Sequence, residues 1–599
     1  MADKLLKRSE VPVELTWDLS LLYKTEEDML ADVEKAKTLA AEIVKFKGKL
    51  NSAKAINDCL SLLENLRIIV DHVGNYTDLA AETDHTDSEL MERADRITSI
   101  INALYTDITF IDNEIIRADD AVIKAAMDEN DAHRRYLGEI LKNKPHQLSD
   151  ETEETLSALS QTLNASYETY LAAKLADMKF PDFEVDGQKY PLGYSLFEDD
   201  YEYDSRTPVR RAAFRAFHDK LKEYRNVTAT AYNQCVRYEK SLADIRHFDS
   251  VFDMLLFNQK VSKDLYNRQI DLITEKLSVH MRKYAALIKK LYKLDKMTYA
   301  DLKLPIDPDY SPKVTLEEAK EYCVKGLSIM GDEYVKMVEE AFDNRWFDLA
   351  NNEGKCTGGF CASPYQKNSY ILLSFNGRMS DVFTMAHELG HAGHFRACSN
   401  AQSVFDTDVS GYYVEAPSTM NELLLAHYLI KTNDDPRFRR WVLANMVGNT
   451  YYHNFVTHLL EAAYQREVYK IMEEGGSVQA DTLDRIFRDV LTKFWGDEVE
   501  LTDGAELTWM RQPHYYMGLY SYTYSAGLTI ATEVCERIEK EGAKAVEDWK
   551  RGLAMGAKLD PLEFAQNAGV DISTDAPLLD TIEIIGKYID EIIKLSDEI

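Results

Sequence analysis

Residues His387-Glu388-Leu389-Gly390-His391 place two imidazoles four positions apart, with a carboxylate next to the first. On an α-helix that spacing turns the second histidine only about 40° from the first, one turn further along. Both rings can then reach one metal ion, and Glu388 stands where it can handle a water on that ion. The flanking residues support the helix. Ser380 and Asp381 can cap its start, and Val382, Met385, Ala386, Leu389 and Gly393 recur on one face. With Val382 at zero, that stripe stays within about 60°, while His387 and His391 fall near about 140° and about 180°. One face packs into a core, and the other presents both imidazoles. The competing reading is a solvent-facing histidine pair without a metal.

Catalytic zinc sites commonly take three protein ligands and leave a position for water. His394 lies on the same side as the pair, but about 10 Å along the axis from His387, too far to share an ion. The three-histidine pattern needs a glycine bend and a longer spacing, whereas Gly393 directly precedes His394. A downstream acid is the other solution, and Asp406, Asp408, Glu415 and Glu422 follow in that order. Positions 398–408 read as a polar, aperiodic connection, and a helical pattern resumes after Gly411 in YYVEAPSTMNELLLAHYLI. Glu415 and Glu422 are seven apart, on one face but two turns distant, so only one binds the metal. We take Glu415 as the ligand and Glu422 as an acceptor orienting a ligand imidazole. The alternative for Glu422 is a surface carboxylate.

HELGHAGH followed by VEAPSTMNE resembles the zinc oligopeptidases related to thimet oligopeptidase, and among them the oligoendopeptidase F group. VELTWDLSLLY, SYILLSFNGRMSDVFTMAHELGH and HYYMGLYSYTYSAG extend the similarity over most of the chain, most specifically between about 350 and 530. The resemblance implies one Zn2+ per chain, bound by His387, His391 and Glu415, with Glu388 as general base. It implies a mainly α, large helical zincin-type metallopeptidase whose two helical halves enclose a substrate channel. The expected activity is zinc-dependent endopeptidase cleavage of short unfolded oligopeptides. Alternatives on the same fold are a peptidyl-dipeptidase or carboxypeptidase-type hydrolase, or a catalytically silent peptide-binding protein.

His514 stands with Tyr515, Tyr516, Tyr520, Tyr522 and Tyr524 in a density of tyrosine beyond what core packing requires. Peptide hydrolysis needs a donor for the oxyanion that forms as the carbonyl is attacked. The resemblance assigns that role to His514 and Tyr522, with Tyr520 and Tyr516 contacting substrate. An aromatic core with its hydroxyls satisfied elsewhere is the alternative.

The elements that position these residues are mostly helical, since the chain has only 14 prolines and 26 glycines among Ala/Leu/Glu/Lys-rich stretches. Amphipathic patterns over 27–48, 51–74 and 86–116 predict an N-terminal helical domain over 1–200, leaving 201–599 as the catalytic domain. Prolines, glycines and aromatics at 178–207 predict a short β excursion, and three prolines make 301–314 irregular. SYILLSFNG reads as a strand feeding the metal helix, a small β element beside it. Such a strand can pair with an extended peptide through backbone hydrogen bonds, or be purely structural.

Composition narrows the setting. No apolar run is long enough to span a bilayer, and MADKLLKRSEVP has no apolar h-region, so no membrane segment or signal peptide is expected. Seven scattered cysteines suit reduced thiols in the cytoplasm, and Cys356 and Cys361 alone lack the partners of a zinc finger. A net charge of −32 argues against nucleic acid and leaves short peptides as the expected partners.

Overall fold

The computed structural model describes residues 5–599, and helices dominate it. The first three amphipathic patterns form Glu26–Val44, Ala53–Glu82 and Ser88–Ile108, started by Thr25, Ser52 and Asp87, whose side chains accept from first-turn amides. The third pattern breaks at Thr109 and resumes as Phe110–Arg117. The apolar stripes of these helices meet one another, with Ala36, Ala40 and Ile43 in one cluster with Ile56, Leu60 and Leu63. Phe405, from beyond the metal helix, enters the same cluster.

The β excursion is a hairpin of β1 (Phe183–Val185) and β2 (Gln188–Tyr190). Asp186 and Gly187 at its tip both have positive φ, 51° and 79°, as a two-residue turn between twisted strands requires. Phe183 joins Phe197, Phe214 and Phe217 in the main core, which runs from Met178 to Leu595.

A second sheet positions the metal helix. It contains β3 (Phe347–Asp348), β4 (Phe360–Ala362) and β5 (Tyr370–Leu372) in the order β3-β5-β4. β5 runs parallel to β3 and antiparallel to β4. Successive side chains of a strand alternate faces. Accordingly Tyr370 and Leu372 pack with Trp17 and the N-terminal helices, while Ile371 enters the main core. The strand expected to receive a peptide is thus the central one, wholly buried and paired on both sides. The edge beside the metal helix belongs to β4.

From β5 the chain turns into helix Met379–Ala401. Asp381 caps it from the third helical position, accepting the backbone N–H groups of Asn376 (2.6 Å) and Arg378 (3.1 Å). Ser380 lies inside the first turn. Among the described residues no helix is long and apolar enough to cross a membrane.

Candidate metal centre

Helix Met379–Ala401 carries His387 and His391, and helix Ala416–Thr432 packs across it with Glu415 at its N-cap position. Gly390 sets the approach. A Cβ there would stand 2.4 Å from the Pro417 carbonyl oxygen and 2.5 Å from the Ser418 Cα, so only glycine admits this contact. The register is held by Asn421, whose amide donates to the Ala386 carbonyl at 2.9 Å. The Tyr334 hydroxyl adds a bond to the Leu389 carbonyl at 3.3 Å.

Glu415 Oε2 consequently lies 3.3 Å from His387 Nε2 and 3.2 Å from His391 Nε2. Zinc bonds to N and O of about 2.0–2.1 Å make tetrahedral edges of about 3.3 Å. The donor set fits zinc in both chemistry and spacing. The Ser418 hydroxyl donates to Glu415 Oε2 at 2.7 Å. His387 Nδ1–H donates to Glu422 Oε1 at 2.7 Å, and Glu422 Oε2 in turn accepts the Thr450 hydroxyl at 2.6 Å. Glu422 is thus half-buried and bonded to the His387 ring, not a free surface carboxylate. Burial opposes charge on His387, but its bonds to Glu415 and Glu422 prevail and push its pKa well up. Burial likewise works against the Glu415 anion, and the two imidazoles hold it well below the usual carboxylate range. The field at this point favours a cation.

Glu388 is only 5% exposed. Its Oε2 is buried without a partner, and a Cβ on Gly359, just ahead of β4, would come within 3.3 Å of Oε1. Burial raises its pKa, with His387 and His391 pulling the other way. His394 has no place here. It is fully buried beside Tyr413 and Phe564, neither ring nitrogen has a partner, and burial lowers its pKa to about 3.

His387, Glu415 and Glu422 open onto a cavity of about 570 Å³, with Tyr524 and His453 on one wall and Glu198 and Arg511 on another. The aromatic segment divides around this cavity. Tyr522, expected at the oxyanion, is wholly buried against Tyr266 and Tyr412, and its hydroxyl donates to Gln259 Oε1 at 2.6 Å. Helix Thr523–Glu541 begins at the next residue, and positions two apart on a helix point about 200° from each other. Tyr524 therefore takes the cavity-facing position that Tyr522 was expected to hold. His514 lies behind Tyr524, its Nε2 3.4 Å from the Tyr524 hydroxyl. The Tyr520 ring adjoins both, with centroids 5.3 Å from Tyr524 and 5.8 Å from His514. Tyr516, expected to touch substrate, instead stacks on Tyr170 at 4.7 Å in a pile with Tyr167 and Tyr232.

His453, His458, Glu461 and Thr450 were not singled out from the sequence. Thr450 and His453 lie in a π-helical segment, Met446–Thr457. Its wider turns relate residues five apart, which puts His453 on His458 at a ring separation of 4.3 Å. An α-helical period does not pair these two. The pattern His453-x4-His458-x2-Glu461 was the available signal.

Comparison with known proteins places this geometry in a family. The oligopeptidase PepF of Bacillus subtilis is 28% identical over 99% of this chain and 89% of its own length. An oligoendopeptidase F homolog of Borreliella burgdorferi is 26% identical over 99% of this chain and all (100%) of its own. Two crystal structures share the fold. A Chlamydophila abortus protein superposes with a TM-score of 0.89 at 21% identity, covering 99% of this chain and 100% of the other. Oligoendopeptidase-F from Enterococcus faecium does so at 0.73 and 22%, covering 94% and 99%. Residues 114–180 match the family described as oligopeptidase F. Residues 201–584, well over half the chain, match the description of peptidase family M3, and the chain belongs to that family.

Proposed function

We propose that this M3 peptidase is a zinc-dependent endopeptidase that hydrolyses internal bonds of short, unfolded oligopeptides. The observation that carries the reading is the convergence of His387, His391 and Glu415 at 3.2–3.3 Å, with the buried Glu388 carboxylate alongside. The names of the B. subtilis and B. burgdorferi relatives favour oligopeptides as substrates.

His387, His391 and Glu415 would hold one zinc ion, with Glu422 and Ser418 fixing two of these ligands. Zinc bound there supplies Lewis acidity, acidifying water and polarising the scissile carbonyl. Glu388 takes the proton of the attacking water and returns it to the departing amine. Tyr524, with His514 behind it, offers its hydroxyl to the oxygen that becomes negative as the carbonyl is attacked. Tyr520 lies close enough to shape the same wall. The outer edge of β4, next to Glu388, supplies backbone groups that can hold an extended peptide without selecting side chains. The seven cysteines are free, which supports a reducing, cytoplasmic setting.

A peptidyl-dipeptidase or carboxypeptidase would use the same centre and add recognition of a chain terminus. One experiment separates these readings. Purified protein is incubated with a defined peptide mixture, with and without chelator, and every cut is read by mass spectrometry. Chelator-sensitive internal cuts are expected. Cuts at a fixed distance from one terminus would replace the endopeptidase assignment, and chelator-resistant cutting would remove the zinc.

A further inference from the structure

Behind Tyr524 and His514 lies a carboxylate that the mechanism above does not use. Glu461, in helix His458–Glu473, is 0% exposed. Its Oε2 accepts His458 Nδ1–H at 2.7 Å and the Ser521 hydroxyl at 3.2 Å, and stands 3.9 Å from His514 Nδ1. Glu461 Oε1 and His514 Nδ1 are both buried without a partner. Burial alone would raise this carboxyl, but the neighbouring imidazoles outweigh it and hold it at about 2.

An ionised carboxylate only accepts hydrogen bonds. His458 must therefore turn its Nδ1–H toward Glu461. His514 Nδ1 faces the same carboxylate across 3.9 Å, a charge contact rather than a hydrogen bond, and the Nε2 atom of each ring points outward. That of His458 reaches His453 Nε2 at 3.0 Å, and that of His514 reaches the Tyr524 hydroxyl. Tyr524 also stacks on His458, with centroids 4.1 Å apart. Tyr524 and His453 both line the cavity that holds His387 and Glu415. A second metal held by His458, Glu461 and His514 explains this less well. The 2.7 Å separation is a hydrogen bond, well short of the edge of about 3.3 Å between ligands of one zinc ion.

We infer that Glu461 is a positioning residue for the peptidase reaction, fixing the tautomer of His458 by a hydrogen bond and the orientation of His514 by charge, and through both rings the place of Tyr524. The inference rests on the reading of Tyr524 and His514 as the donor wall. Glutamine at this position keeps the shape of the side chain but is neutral and donates from one arm, so His514 loses the charge it faces and His458 its dictated tautomer.

The test is a double-mutant cycle of Glu461→Gln and His514→Ala, read by steady-state kinetics on one peptide. Zinc content and melting temperature are measured for each protein. Glu461→Gln should lower kcat about 10–100-fold with KM nearly unchanged and zinc retained. In the His514→Ala background the same change should cost less than about threefold, because its effect runs through that ring. Equal losses in both backgrounds, or a lowered melting temperature with normal kcat, would return Glu461 to a purely structural role. Normal kcat in both His514→Ala and Tyr524→Phe would instead remove the donor wall itself, and this inference with it. Should Glu461→Gln fail to fold, Ser521→Ala removes one donor to the same oxygen, and a milder fall in kcat is expected. Unchanged kcat in that variant would overturn the inference.

Discussion

Gly390 touches Ser418 so closely that a Cβ on the glycine would stand 2.5 Å from the serine's Cα. That contact sets the distance between the helix bearing both imidazoles and the one bearing Glu415. Gly390→Ala must therefore separate the helices, at an overpacking cost of about 1–3 kcal/mol. The expected outcome is weaker zinc binding as well as a lower melting temperature, measured by metal titration and thermal unfolding. Full zinc affinity in Gly390→Ala would show that the triad does not depend on this approach.

Glu388→Gln keeps the side chain's shape and leaves the three donors of the proposed centre in place. Zinc content and peptide binding should persist, while turnover falls at least about 10²–10⁴-fold through loss of the proton acceptor. Substantial activity in a fully metallated variant would sink the general-base assignment.

Glu415 and Glu422 separate by what they touch. Glu415 Oε2 faces both imidazoles, whereas Glu422 holds only the far nitrogen of His387. Glu415→Ala should abolish tight zinc binding, and Glu422→Ala should weaken it about 10–100-fold. Competition against a chelator of known affinity ranks them. The reverse order would exchange their roles.

Tyr524 and Tyr522 make a paired test of the aromatic wall. Tyr524→Phe should lower kcat about 10²–10³-fold with little change in KM or melting temperature. Tyr522→Phe should leave kcat near normal and strand the half-buried Gln259 carbonyl, at about 1 kcal/mol of stability. A kinetic defect confined to Tyr522→Phe would restore the residue expected from the sequence.

The unequal legibility of these residues has a physical cause. His387, Glu388 and His391 occupy one regular helix, so a period of 3.6 read from the sequence gives their relation directly. Glu415, whose carboxylate lies beside both imidazoles, was reachable because a helical pattern resumes after Gly411 and because VEAPSTMNE resembles the zinc oligopeptidases. The tyrosines were not, because extended and helical readings of Tyr520-Ser521-Tyr522-Thr523-Tyr524 place different rings on one face. The choice depends on where helix Thr523–Glu541 begins. His453 and His458 were hidden by π-helical phasing, because their spacing of five brings two rings together only on its wider turns. The sheet order is non-local in the same way. Whether SYILLSFNG is an edge or a centre depends on β4, a separate segment whose sequence does not declare its partner.

Glu239 gives a test by pH, away from the metal. Burial raises its carboxyl to about 7, against the opposing hydrogen bond from the Tyr469 hydroxyl at 2.5 Å. In the unfolded chain it titrates at about 4.3. Between these values the folded protein keeps a proton that the unfolded chain has lost, so this residue's contribution to stability falls as pH rises. The loss begins near the unfolded value and is complete above about 7. Glutamine is neutral throughout and still offers Tyr469 an acceptor. Melting curves of wild type and Glu239→Gln at pH values on either side of this window should diverge, with the variant gaining relative stability on the alkaline side. A difference in melting temperature that stays constant across the window would mean that Glu239 ionises normally in the folded protein.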